Sequence, residues 1–170
     1  MASGAVAFGA GFPVLAFPEA DVRRLALANL HTGETLRTAY WENGAYLPDA
    51  LSAVNHVLRD FRTGEEHDIE PALLDLLVAL SGRTGVSAPY EVISGFRSAA
   101  TNAMLHAESS QVAPKSLHME GKAIDIRVAG MNLDYLHRAA LSLGAGGVGF
   151  YPVSGFVHVD VGRVRTWAGT

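Results

Sequence analysis

Two short runs, KAIDIRV from Lys122 and GFVHVDV from Gly155, constrain this chain more than any other feature. In each, apolar residues alternate with residues that carry chemistry. Successive side chains of a strand point to opposite faces, so Ile124, Ile126 and Val128 share one face while Ala123, Asp125 and Arg127 share the other. The same phase puts Val157, Val159 and Val161 together and Phe156, His158 and Asp160 opposite them. If the two strands adjoin in one sheet, Asp125 and His158 converge on the side away from the core. Just upstream, SLHMEGKAID sets His118 before Asp125 with Gly121 between them, where a glycine lets the chain turn sharply. Two imidazoles and one carboxylate with an open fourth position are the pattern of a catalytic zinc site, so Zn2+ held by His118, Asp125 and His158 is expected. The alternative is a surface His118 and a hydrogen-bonded sheet residue at His158.

The remaining elements follow from pattern and punctuation. RRLALANLHTGETLRTAYW reads as a hairpin turning at His31–Glu34, where His31 and Glu34 are turn residues and not ligands. Pro48 and Asp49 open a helix with a stripe of Leu51, Val54, Leu58 and Phe61, leaving His56 solvated. Asp68 is expected to cap a second, leucine-rich helix that has Pro71 in its first turn and ends at Gly82 and Gly85. Glu65, Glu66 and His67 read as a solvated loop. YEVIS is a short strand, and Arg97 follows it where the chain turns toward a helix near Ser98. The guanidinium fork of Arg97 suits a carboxylate or a polarised carbonyl, with a structural salt bridge as the alternative. NLDYLHRAALSLG is a fourth helix stopped by Gly144, with His137 at the surface. GGVGFYP approaches the His158 strand in extended form. Its Tyr151 either hydrogen-bonds substrate or packs, and Arg163, Arg165 and Trp167 close the chain.

These residues resemble a known family. HTGE at His31, ISGFRS at Ile93, TNAML at Thr101, SLHMEGKAIDIR at Ser116, GGVGFYP at Gly146 and FVHVDVGRVRTW at Phe156 run in the order seen in the YcbK-like murein endopeptidases, relatives of the D-alanyl-D-alanine carboxypeptidase and VanX group of zinc peptidases. The resemblance covers about four-fifths of the chain. It implies an α+β fold, a mainly antiparallel sheet with helices packed on one side and the zinc site on the open face. It also implies hydrolysis of peptide cross-links in peptidoglycan, with its stem peptides as partner. Arg97 would then bind substrate or stabilise the oxyanion, and Ser116 would contact substrate backbone unless it merely caps its turn. The chain departs from the wider group at three positions. Phe96 stands where Tyr is common, Gly155 where a Glu base commonly lies three residues before the last His, and Phe156 where some relatives have His. With that base missing, Asp160 is the candidate, since it shares a strand face with His158 and lies about 6.6–6.8 Å along the strand. The alternative for Asp160 is a partner that holds a His ligand in its tautomer. A D,D-carboxypeptidase or dipeptidase, or a non-catalytic zinc-bearing wall-binding domain, are the competing functions.

Composition narrows the rest. The 170 residues are 49% hydrophobic with no cysteine, enough for one domain with its own core and no disulfides. A net charge of -4 argues against nucleic-acid binding, which needs a basic stripe to meet phosphates. Residues 1–20 are apolar and small, and read as the remnant of an export signal or a flexible arm, with residues 21–170 as a single zinc peptidase domain. That stretch is too short and too rich in glycine for a transmembrane segment. An exported, periplasmic location is expected by resemblance.

Overall fold

The computed structural model describes residues 22–109 and 112–170. The expectation for residues 1–20 lies outside them. The predicted hairpin is there, with β1 (Val22–Asn29) antiparallel to β2 (Thr35–Glu42). The Asn29 side chain closes its turn by accepting the backbone N–H groups of His31 at 2.9 Å and Thr32 at 3.2 Å. A two-residue strand β3 (Ala45–Tyr46) then precedes α1 (Pro48–Val57) and α2 (Pro71–Thr84), each with proline in its first turn, where the missing N–H costs nothing. Next come β4 (Tyr90–Ser94), α3 (Ala99–Glu108), a 3-10 turn (Leu117–Glu120), β5 (Ala123–Val128) and α4 (Leu133–Leu143). β6 (Gly147–Tyr151), β7 (Phe156–Asp160) and β8 (Arg165–Ala168) complete the order.

The strands form one sheet in the order β3-β2-β1-β4-β5-β7-β6-β8. Its pairings are antiparallel except β1 with β4 and β6 with β8, so the α+β, mainly antiparallel architecture is as expected. Leu25, Leu27, Ile124, Ile126, Val157 and Val159 line the core face and meet Val54, Leu58, Leu73, Leu77, Leu80 and Leu136 from α1, α2 and α4. Helix α3 contributes nothing to that core. Its buried residues are the polar Thr101 and Asn102, and Asn102 Nδ2 donates to the carbonyls of Ala113 and Pro114, bracing the loop that follows.

Two local expectations are corrected. Asp68 does not cap α2, because Glu70 occupies the N-cap and Asp68 Oδ1 instead accepts from Asn55 Nδ2 at 2.9 Å. His56 is not simply solvated, since its two ring nitrogens lie 2.7 Å from Glu66 and 3.3 Å from Glu34. Both corrections are side-chain contacts between distant segments, which helix periodicity does not encode.

Candidate metal centre

β5 and β7 are neighbours, and their register pairs Asp125 directly with His158. The valines and isoleucines fill the core on one face of these strands and so present Asp125 and His158 on the other. His118 arrives from the 3-10 turn, where its own backbone N–H donates to the Ser116 hydroxyl oxygen. Gly121 ends the turn at φ +65° with the Asp68 carbonyl against it, so a side chain there would meet both strain and a collision. All three residues are buried, His158 being the most accessible at 8%.

Hydrogen bonding decides which atoms face inward. His118 Nδ1 lies 2.7 Å from the Gly95 carbonyl, which can only accept, so Nδ1 carries the proton and Nε2 presents a lone pair. His158 Nε2 lies 3.1 Å from Asp160 Oδ2, which can hold a proton there and so free Nδ1 to ligate an ion. Asp125 Oδ1 completes the set. It is 2.8 Å from His158 Nδ1 and 3.2 Å from His118 Nε2, and the two nitrogens are 3.2 Å apart. The three donor atoms converge closely enough to share one cation. A tetrahedral ion with bonds of about 2.0–2.1 Å separates its ligand atoms by roughly 3.3 Å, so the donor set fits a zinc-sized ion.

Electrostatics agree with that fit at Asp125 and His118. Burial pushes the Asp125 carboxyl up, but the imidazoles and Arg97 outweigh it and hold the group well below the usual carboxylate range. Burial pushes the His118 imidazolium down, so the ring is neutral and able to ligate. For His158, burial is overcome by the hydrogen bonds to Asp125 and Asp160, so its pKa goes up, which favours the imidazolium; ligating an ion through Nδ1 therefore means releasing that proton.

Arg97 is committed to this group. Its Nη2 pairs with Asp125 Oδ2 and its Nε donates to Ser94 Oγ at 2.8 Å. Asp160 is fully buried behind the His158 ring, where Oδ1 accepts from the backbone of Gly147 and Gly162 and both oxygens accept from Arg165. It does not line the cavity. That cavity, of about 420 Å³, is walled by Arg97, Ser116, Tyr151 and the three clustered residues.

A family model described as "Peptidoglycan L,D-endopeptidase MepK" matches residues 18–167. The protein of that name from Escherichia coli (strain K12) is 43% identical over 171 residues, covering 98% of this chain and 94% of the relative. The Shigella flexneri protein of the same name matches to the same extent, and a Haemophilus influenzae protein is 43% identical over 148 residues, covering 86% of this chain and 80% of its own. The chain belongs to the MepK family.

Within this MepK-family chain, two residues near the end of the matched span matter more than spacing alone suggested. Arg165 clamps Asp160, and Trp167 forms part of the cavity wall with its ring 5.1 Å from that of His158. The alternation of Arg165 and Trp167 in RTWA was the available signal, since it places both on one face of a strand. The carbonyl of Gly95 carried no signal, because any residue offers one.

Proposed function

We propose that the protein is a zinc-dependent peptidoglycan endopeptidase that hydrolyses peptide cross-links between stem peptides. The observation that carries this is the meeting of three donor atoms with metal-ligand spacing in the wall of a cavity, in a chain that matches the MepK family along nearly its whole length. His118 Nε2, Asp125 Oδ1 and His158 Nδ1 would hold the ion. Zinc in that position polarises a carbonyl and lowers the pKa of a water molecule toward about 7.

The chain's own groups set the geometry. Gly95 and Asp160 fix the tautomers of the two histidines, so each keeps its lone pair inward. Arg97 holds the outer oxygen of Asp125 and leaves Oδ1 for the ion, while its Nη1 meets no described residue and is left to bind substrate oxygen. Ser116 shapes the turn under His118 and contacts substrate backbone where it lines the cavity. Asp160 we assign to holding His158 and not to proton transfer, because its oxygens are occupied and face away from the cavity.

Among the side chains of the described residues lining the cavity, the only carboxylate is that of Asp125. Glu120 does not line it and pairs with Lys122 at 2.8 Å. The proton acceptor then comes from the substrate, whose stem peptides carry free carboxylates. Such material lies outside the cytoplasm, so the working location is an exported, periplasmic one, and residues 21–170 act as one peptidase domain.

Incubation of the zinc-loaded protein with defined cross-linked muropeptides, followed by mass analysis, tests the function. Release of two stem peptides by cleavage within the cross-link is expected. Loss of a single terminal residue from uncross-linked stems would mean a carboxypeptidase, and binding without cleavage would mean a wall-binding domain.

A further inference from the structure

One hydrogen bond in the cavity wall has a direction dictated by chemistry. Trp167 Nε1 lies 2.8 Å from the Tyr151 hydroxyl oxygen. An indole nitrogen only donates, so the phenol oxygen accepts and must turn its own O–H elsewhere. No described residue takes that proton. Both side chains line the cavity that holds His118, Asp125 and His158.

The pair is also held rigidly. The Tyr151 ring stacks on Phe156 with centroids 4.5 Å apart. Trp167 and Gly149 are register partners between β8 and β6, and the indole occupies the space that a side chain at Gly149 would fill, with ring carbons 2.6 Å from the position of a Cβ. Residue 149 must therefore be glycine for the indole to reach the tyrosine.

We infer that Tyr151 is a catalytic hydrogen-bond donor to the carbonyl oxygen of the scissile bond, and that Trp167 is the positioning residue that makes it one. This rests on the endopeptidase reading above. Negative charge develops on that oxygen as the carbonyl carbon becomes tetrahedral, and a preorganised donor there favours the transition state over the ground state. Donation from the indole draws charge from the phenol oxygen and strengthens the hydrogen bond that the phenol gives in turn. Arg97 is a cationic donor in the same cavity wall, but two of its three nitrogens are engaged by Asp125 and Ser94.

The test compares wild type, Tyr151→Phe, Trp167→Phe and the double variant, all zinc-loaded, on a defined cross-linked muropeptide. Phenylalanine at 167 keeps an aromatic ring near Gly149 while removing the N–H together with part of the indole's volume. Tyr151→Phe should lower kcat roughly 100-fold and Trp167→Phe roughly five- to tenfold, with KM nearly unchanged. Trp167→Phe should have no further effect once Tyr151 is Phe, because the indole acts only through the hydroxyl. Calorimetric binding of a phosphinate isostere of the cross-link, which carries the tetrahedral oxyanion, should weaken by the same factors. Unchanged kcat in Trp167→Phe, a rise in KM alone, or effects that multiply in the double variant would overturn the inference while leaving the endopeptidase reading intact. A wild-type protein that cleaves no cross-link overturns both.

Discussion

Both oxygens of Asp160 are already engaged by backbone donors, Arg165 and His158, and these hydrogen bonds hold its carboxyl well below the usual range against the opposing effect of burial. A carboxylate so stabilised is a poor proton acceptor and a good anchor for a ligand ring. Asp160→Asn is expected to weaken zinc binding about 10- to 100-fold and to regain near-normal kcat at saturating zinc, as measured by competition with a chelating dye and by turnover. Failure to regain turnover with zinc bound would return Asp160 to the chemistry. Arg97 poses the complementary case, because its planar fork serves Ser94 and Asp125 together. Arg97→Lys keeps the charge but reaches only one of them, so activity should fall by at least tenfold while the melting temperature moves by only a few degrees. A variant that melts far lower would mean that the pairing is chiefly structural.

Short connecting elements, more than the strands, bring the third ligand into place. The 3-10 turn depends on Gly121, whose positive φ and close approach to Asp68 leave no room for a Cβ, and the Gly121 carbonyl also accepts from Glu70 at 3.0 Å. Gly121→Ala should cost more than about 1–3 kcal/mol of stability, seen in urea unfolding, and should lower zinc content because His118 moves with the turn. The entry to α3 is pinned differently. Asp60 accepts the backbone N–H of Ser98 and of Arg62, each at 2.9 Å, which fastens the segment after α1 to the helix that follows Arg97. Burial raises the Asp60 pKa, but hydrogen bonds from Thr101, Ser98 and Arg62 prevail and bring it down to about 2 from an ordinary 3.8. A folded-state pKa below the unfolded one means that the stabilisation is present above the ordinary value and is lost as pH falls toward 2. Its size is about 2 kcal/mol. Asp60→Asn should therefore lower stability at pH 7 and flatten the decline between pH 4 and pH 2. An unchanged acid limb in thermal melts would show that another carboxylate governs it.

At the scale of the whole molecule, core and site lie on opposite faces of β5 and β7, and the core is built from apolar side chains, mostly aliphatic, of α1, α2, α4 and the sheet without help from any ligand. Chelation should therefore leave the fold intact and lower the melting temperature only by the binding linkage, which at a zinc concentration 1,000 times Kd is about 4.1 kcal/mol. Loss of secondary structure on adding a chelator, followed by circular dichroism, would contradict this separation. No helix among the described residues is long and apolar enough to cross a membrane. What the chain alone determined was whatever local periodicity encodes: the phase of KAIDIRV and GFVHVDV, which faces Asp125 and His158 away from the core, the hairpin at His31–Glu34, and the glycine stops at Gly85 and Gly144, though not at Gly82, which lies inside α2. Family resemblance added the sheet architecture and the role of the site. Only the tertiary structure decided which nitrogen of each histidine faces inward, that Asp160 lies behind His158 and not before it, and that Trp167 reaches Tyr151. Those outcomes depend on pairings such as β5 with β7 and β6 with β8, and on acceptors as featureless in sequence as the Gly95 carbonyl. Side-chain phase along one strand is a property of that strand, whereas the direction of a hydrogen bond belongs to two segments and exists only once both are in place.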